Sequence, residues 1–179
     1  LALACVVIED LVNKLINYFV DLCLLRAAPQ DLPASSVLFR LTLLTNVLVG
    51  TLVGVGSRMN PLQALGESLF EVLLLLLVLH AALRWQARLA RFAQTATAIL
   101  GSGTLTSLLA LPLLNLGAEA GELAQLGGIL LLVLVVWSAV VLGHILRHAF
   151  DLPFGQAVTL GVLYTLISYV VMGAVFPLT

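Results

Sequence analysis

Two glutamates four residues apart, Glu67 and Glu71, interrupt an apolar stretch at residues 66–84, and they are the first place to look for chemistry. On a helix that spacing puts both carboxylates on one face. Ionisable groups inside a membrane are costly, so such a pair is either held by a cation or forms an access site for protons or cations. Arg58, in the loop before them, is the only cation on that side of the chain and the expected ion-pair partner. Asn46, in the preceding apolar stretch, adds a polar group for an aqueous path. His80 lies nine residues past Glu71. That is a rotation of about 180°, which argues against a proton relay along this helix alone. His80 and His144 lie on different stretches, each within about one turn of flanking arginines, and two such rings facing one cavity could ligate a b-type haem. His144 and His148, at i and i+4, have only Asp151 as a third candidate ligand, so no metal site is expected.

Gly101-Ser102-Gly103 resembles the Gly-x-Ser-Gly nucleophile of intramembrane serine proteases, with His144 at compatible depth. The fuller serine motif is missing, and so are the glycines expected downstream of the histidine. Close helix packing is the simpler reading of the triplet. There is no P-loop, dinucleotide-binding glycine motif or HExxH. No catalytic residue is assigned, and a non-enzymatic protein without a cofactor is the expectation. The two cysteines, Cys5 and Cys23, lack CxxC spacing and read as reduced thiols.

The elements that must position these groups are five long apolar stretches, at residues 37–56, 66–84, 96–116, 126–146 and 156–176. Each is about 20 residues, enough to cross a bilayer core of about 30 Å. The chain is 61% hydrophobic and 9% charged, with mean hydropathy +1.16. Soluble domains carry about 25% charge. The fold class is therefore an all-α polytopic membrane bundle. With five such stretches, no water-soluble catalytic domain is expected within these 179 residues. A net charge of −1 gives no electrostatic case for nucleic acid.

Alternating the loops puts Lys14, Arg26, Arg40, Arg84, Arg88, Arg91 and Arg147 on one side and Arg58 alone on the other, which also carries Glu119 and Glu122. The positive-inside rule then predicts a bacterial inner-membrane protein with a cytoplasmic N-terminus and an external C-terminus. No cleavable signal is expected, since no basic region precedes the apolar start and Glu9-Asp10 follow it.

Residues 1–28 form a separate N-terminal unit. At 100° per residue Ile8, Leu11, Leu15, Phe19 and Leu22 share a face opposite Glu9, Asp10, Asn13, Lys14, Asn17 and Asp21. Such a helix lies in the interface or against a partner, so Leu11, Leu15, Phe19 and Leu22 are the expected docking residues. Pro29 and Pro33 break it, and Ser35 or Ser36 caps the first span. Arg84, Arg88 and Arg91, with Trp85 and Phe92, predict a helix leaving the membrane with its arginines at lipid phosphates. Asp-Leu-Pro occurs at residues 31–33 and 151–153, each time as an expected helix start.

Small and hydroxyl residues must let the spans approach. The stripes are Thr42, Asn46, Gly50 and Ser57; Ala96, Gly103, Ser107 and Ala110; and Ala157, Gly161, Thr165 and Ser168. Gly101, Gly103, Ser107 and Gly161 are the expected packing points. Trp137, His144 and His148 share a face of the fourth span, with Trp137 expected inside the bundle, and Pro112 is expected to kink the third.

Residues 21–26 (Asp-Leu-Cys-Leu-Leu-Arg), 29–35 (Pro-Gln-Asp-Leu-Pro-Ala-Ser) and 94–98 (Gln-Thr-Ala-Thr-Ala), with Trp137, make the chain similar to the Yip1-domain superfamily over residues 18–179. That resemblance implies a scaffold or assembly role beside partner membrane proteins or a second copy, and defines no catalytic residues. The leading expectation is a scaffold or accessory subunit. The alternatives are a small transporter using Glu71 and a haem-bearing electron carrier.

Overall fold

The computed structural model describes residues 2–117 and 121–176, with side chains from residue 12 onward. Leu11 as a docking residue and Glu119 in the acidic loop therefore lie outside the described side chains. All elements in this range are helical: α1 (Ala2–Cys23), α2 (Ser36–Gly56), α3 (Pro61–Trp85), α4 (Phe92–Gly117), α5 (Glu122–Phe150) and α6 (Phe154–Val175), with short 3-10 turns at Pro29–Asp31 and Leu89–Arg91. Helices α2 to α6 are long and apolar enough to cross a membrane.

Local grammar sets the helix starts. Ser35 caps α2, its hydroxyl accepting the Leu38 amide at 3.3 Å. Asn60 caps α3 with Pro61 in the first turn, and its side-chain oxygen accepts the Leu62 amide at 2.9 Å. Helix α3 thus begins five residues before the expected apolar boundary. The Asn-Pro pair was the legible signal, and reading hydropathy alone passes over it.

Helix α4 is the centre. α2 and α5 pack on it, α3 packs on α2 and α6 on α5, while α1 lies against α4 and α5. The central position explains why Thr95 to Ser102 are buried in an unbroken run, all round the helix. Pro112 sits within α4, five residues from its end.

Small residues set the closest approaches. A side chain at Gly161 would come within 2.7 Å of the Ala139 carbonyl oxygen and 2.9 Å of the Gly143 nitrogen, so α5 and α6 meet backbone to backbone. At Gly101 an added Cβ would come 2.1 Å from the Phe19 ring, so this glycine is the socket for α1. Asn46 links α2 to α4, donating to the Leu100 carbonyl at 3.0 Å, and Ser68 links α3 to α2 by donating to the Val47 carbonyl at 3.1 Å.

Several expectations are corrected. Phe19 and Leu22 are buried in this chain's own core with Leu15 packed beside them, so the face expected to dock a partner is occupied by α4 and α5. A second apolar ridge of α1, Val12, Ile16, Val20 and Leu24, remains exposed, while Asn13, Lys14, Asn17 and Asp21 form the polar face. One side of α1 therefore meets the bundle, the next suits lipid and the third suits water. Trp137 is 41% exposed rather than packed inside, and its indole N–H donates to the Cys23 carbonyl at 3.1 Å.

The arginine series does not continue one helix. α3 ends at Trp85 and Ala87 takes a left-handed φ of 56°, which turns Arg88 and Arg91 toward the α5–α6 turn. There Asp151 receives Arg88 at 2.5 Å and Arg91 at 3.0 Å, and Arg91 also donates to the His148 and Ala149 carbonyls. Arginine at helix-terminal carbonyls complements the negative end of the helix dipole. Neither Asp-Leu-Pro starts a helix with its aspartate: Asp151 is the left-handed C-cap of α5, and Asp31 accepts the Ala28 amide within a 3-10 turn.

Candidate functional site

Between α3 and α6, with α2, α4 and α5 behind them, lies a cavity of about 480 Å³. It exists because α3 and α6 are held by different neighbours and touch little. Their contact includes Phe70 against Phe176, an edge-to-face pair with centroids 5.8 Å apart, towards the Arg58 end of the molecule. Glu67 and Glu71 both line the cavity, as does Asn46. Because α3 starts at Pro61, Glu71 lies about 15 Å along it, deeper than the apolar boundary suggested.

The charge balance of this cavity is one-sided. Among the described residues no Lys, Arg or His borders it. Glu67 accepts a hydrogen bond from neutral Gln63 at 3.1 Å. Arg58 forms no ion pair with either glutamate among the described residues, because it sits in the turn after α2 with φ 68° while the carboxylates point between the helices. The expected ion-pair explanation of the two glutamates therefore fails.

Most hydroxyls around the cavity are tied to carbonyls of their own helix: Ser102 to Ile99, Thr106 to Gly103, Ser138 to Val135 and Thr165 to Gly161. Tyr164 and Ser168 differ. Both hydroxyl oxygens are buried with no hydrogen bond to any other helix among the described residues; they lie one turn apart on α6, close enough to interact with each other, and both residues border the cavity. A buried polar group left unpaired costs about 1–3 kcal/mol, which makes these two hydroxyls the least satisfied polar groups beside the cavity.

The remaining sequence candidates are distributed elsewhere. Gly103 and Ser107 line the cavity, where a Cβ on Gly103 would sit 3.2 Å from the Asn46 amide nitrogen, so this glycine shapes the cavity wall as much as the α2–α4 contact. His80 packs edge-on against Phe92 and is exposed. His144 is buried with Nε2 3.0 Å from the Ala27 carbonyl oxygen, its ring against that of His148. Neither His80 nor His144 borders the cavity, and the two rings have different neighbours, Phe92 and the Ala27 carbonyl. Ser102 is buried and donates to the Ile99 carbonyl, with no bond to His144, so the serine–histidine arrangement is not assembled. Among the described residues no three His, Cys, Asp or Glu side chains converge.

At the opposite end, polar contacts form a second cluster. The segment after α1 runs along α5: Cys23 meets Trp137, Ala27 meets His144, and Gln30 lies 3.4 Å from His148. Gln94 donates to the Leu32 carbonyl at 2.7 Å, and Tyr18 to that of Ala28 at 2.6 Å. With the arginine pairs to Asp151, these contacts tie every turn at this end to its neighbours. The hydrogen bond from Arg91, joined by the Arg88 and Arg91 charges, holds the Asp151 carboxyl below the usual carboxylate range. Its contribution is therefore present at neutral pH and is lost only as pH falls through that lowered value, beneath about 3.9. Asp151→Asn should lower the melting temperature slightly, by an amount that high salt reduces. The gap to wild type should persist from about pH 5 to 8 and close in stronger acid. A gap that closed near neutrality would contradict this pairing.

These features define an integral membrane protein with five spanning helices, a docked N-terminal helix and an acidic cavity among the spans. No protein-family model, no curated protein and no solved structure matches the chain.

Proposed function

We propose that the protein binds a small solute in the cavity and passes it across the bilayer, alone or as the solute-binding subunit of a larger transporter. The observation that carries this reading is the cavity itself: two glutamates with no basic partner among the described residues, and two buried hydroxyls with only each other to bond. Its size falls within the roughly 300–1,000 Å³ of ordinary ligand sites. A purely structural role would be served by filling this space with apolar side chains, since unpaired polar groups in a membrane only cost stability. The orientation proposed with it, with the arginine-bearing end cytoplasmic, rests on the seven-to-one distribution of basic residues. A Yip1-like scaffold remains compatible with the helix count, although the α1 face that would have served it is buried within the chain.

The test is flux in reconstituted vesicles. Purified protein in liposomes should admit at least one member of a panel of small organic cations, polyols and carboxylates above the empty-vesicle rate. Glu71→Gln should lower that rate about tenfold or more while eluting as the wild type does. Equal flux in loaded and empty vesicles for the whole panel would overturn the reading.

A further inference from the structure

Resting on the cavity reading, we infer that the occupant is a small protonated amine, its ammonium group held by Glu71 and Glu67. Three features select this class. The first is charge: the cavity presents two carboxylates and no cation, and like charges at i and i+4 destabilise each other until something positive lies between them. A neutral or anionic solute would leave that imbalance in place or deepen it.

The second is hydrogen bonding. The Ser168 residue is 8% exposed, and its hydroxyl and that of Tyr164 are buried beside the same space with only each other as near partners, so a small turn of either side chain frees an oxygen for an occupant. An ammonium carries several N–H donors, so it can give one to a carboxylate and others to hydroxyl oxygens. Tyr164 and Tyr169 also supply aromatic rings at the cavity wall, surfaces that attract a desolvated cation.

The third is size. A bare metal ion needs a tight shell of oxygen ligands, six to eight for calcium. About 480 Å³ with two carboxylates is too large and too sparse a cage, and it suits a cation that brings its own carbon frame. The ammonium could belong to a free amine or to a lipid headgroup reaching in between α3 and α6; both share this chemistry.

Isothermal titration in phosphatidylglycerol nanodiscs tests the inference with ethanolammonium, mannitol and acetate. Ethanolammonium should bind, and mannitol and acetate should not. Glu71→Gln should weaken ethanolammonium at least tenfold, and Glu67→Gln less, because Gln63 already engages that carboxylate. Should Glu71→Gln not fold, Ser168→Ala reads the same site and should weaken binding at least threefold. Repeating the wild-type titration in phosphatidylethanolamine nanodiscs separates the sources: a tenfold loss there makes the headgroup the occupant, and unchanged affinity makes it the free amine. Mannitol or acetate binding as well as ethanolammonium would overturn the inference while leaving the cavity reading intact. Absence of ethanolammonium binding, or binding indifferent to both variants, would also overturn it, and the vesicle flux would then judge the cavity reading separately.

Discussion

Replacing Gly161 by leucine is expected to part α6 from α5 and to leave little protein that survives detergent extraction as a single species. The added carbon would first meet backbone, the Ala139 carbonyl oxygen at 2.7 Å and the Gly143 nitrogen at 2.9 Å. Backbone cannot rotate aside as a flexible side chain can, so the helix itself must move. Overpacking in tight cores costs about 1–3 kcal/mol, occasionally more, and a leucine against a facing helix belongs at the upper end. The loss would be compounded because α6 has few other holds: Ala157, Gly161 and Ser168 are its buried residues, and its contact with α3 is slight. Gly161→Ala should be intermediate, since it brings the same clash with backbone but not the three further carbons of leucine. Gly173→Leu is the control, because nothing lies within 4 Å of a Cβ there. Thermal unfolding followed by size-exclusion chromatography should rank the variants Gly173→Leu, Gly161→Ala, Gly161→Leu, from least to most damaged. A Gly161→Leu protein as stable as the control would mean that α5 and α6 are not held in this way.

The two ends of that prediction show what the residues declare by themselves and what they do not. Membrane spans announce themselves through continuous apolar length, because the bilayer imposes one thickness on every crossing. All five apolar stretches accordingly coincide with helices, the fifth running one residue past the end of α6. The stripe on α6 was legible for the same kind of reason, since only small residues allow helices to approach in lipid. Gly143, the other half of the contact, belongs to no stripe on α5. A lone glycine becomes meaningful only when the facing helix is known.

Polar residues were legible as outliers but not as partners. Glu67 and Glu71 stood out by their cost, yet the nearest cation in sequence, Arg58, is not their neighbour in space. Helix α3 starts earlier than the apolar boundary, which carries both glutamates along it and away from the turn that holds Arg58. Arg88 and Arg91 fit a helical spacing that the chain abandons at Ala87, and their partner Asp151 lies some 60 residues away. Long-range pairing of this kind depends on which helices are adjacent, and hydropathy carries no information about adjacency. Tyr164 and Ser168 were missed as cavity residues altogether. One turn apart on α6, they do share a face with Gly161 and Thr165, so the signal existed only as part of a packing stripe.

The amphipathic α1 was readable as a helix with one face committed to something, and Gly101 identifies that something as the chain's own centre. Gly101→Leu should therefore expel α1 from its seat, because the new side chain occupies the space of the Phe19 ring. Phe19 and Leu22 would lose their burial together, which at about 1.5–3 kcal/mol for each large apolar side chain exceeds what the short segment after α1 could restore. Cys23 provides the readout. In the docked state its thiol lies 3.9 Å from the Ser102 carbonyl oxygen, and burial pushes its pKa up to about 11. A freed thiol returns to about 8.5, so the reactive thiolate fraction near neutral pH rises on the order of a hundredfold. Maleimide labelling in a Cys5→Ala background should be slow for the docked protein, accelerating only in strong alkali, and fast near pH 7.5 once Gly101 is leucine. The spans themselves, whose packing does not pass through this glycine, should still elute as an intact bundle. Equal labelling rates with and without the substitution would show that α1 is seated by something other than the Phe19–Gly101 contact.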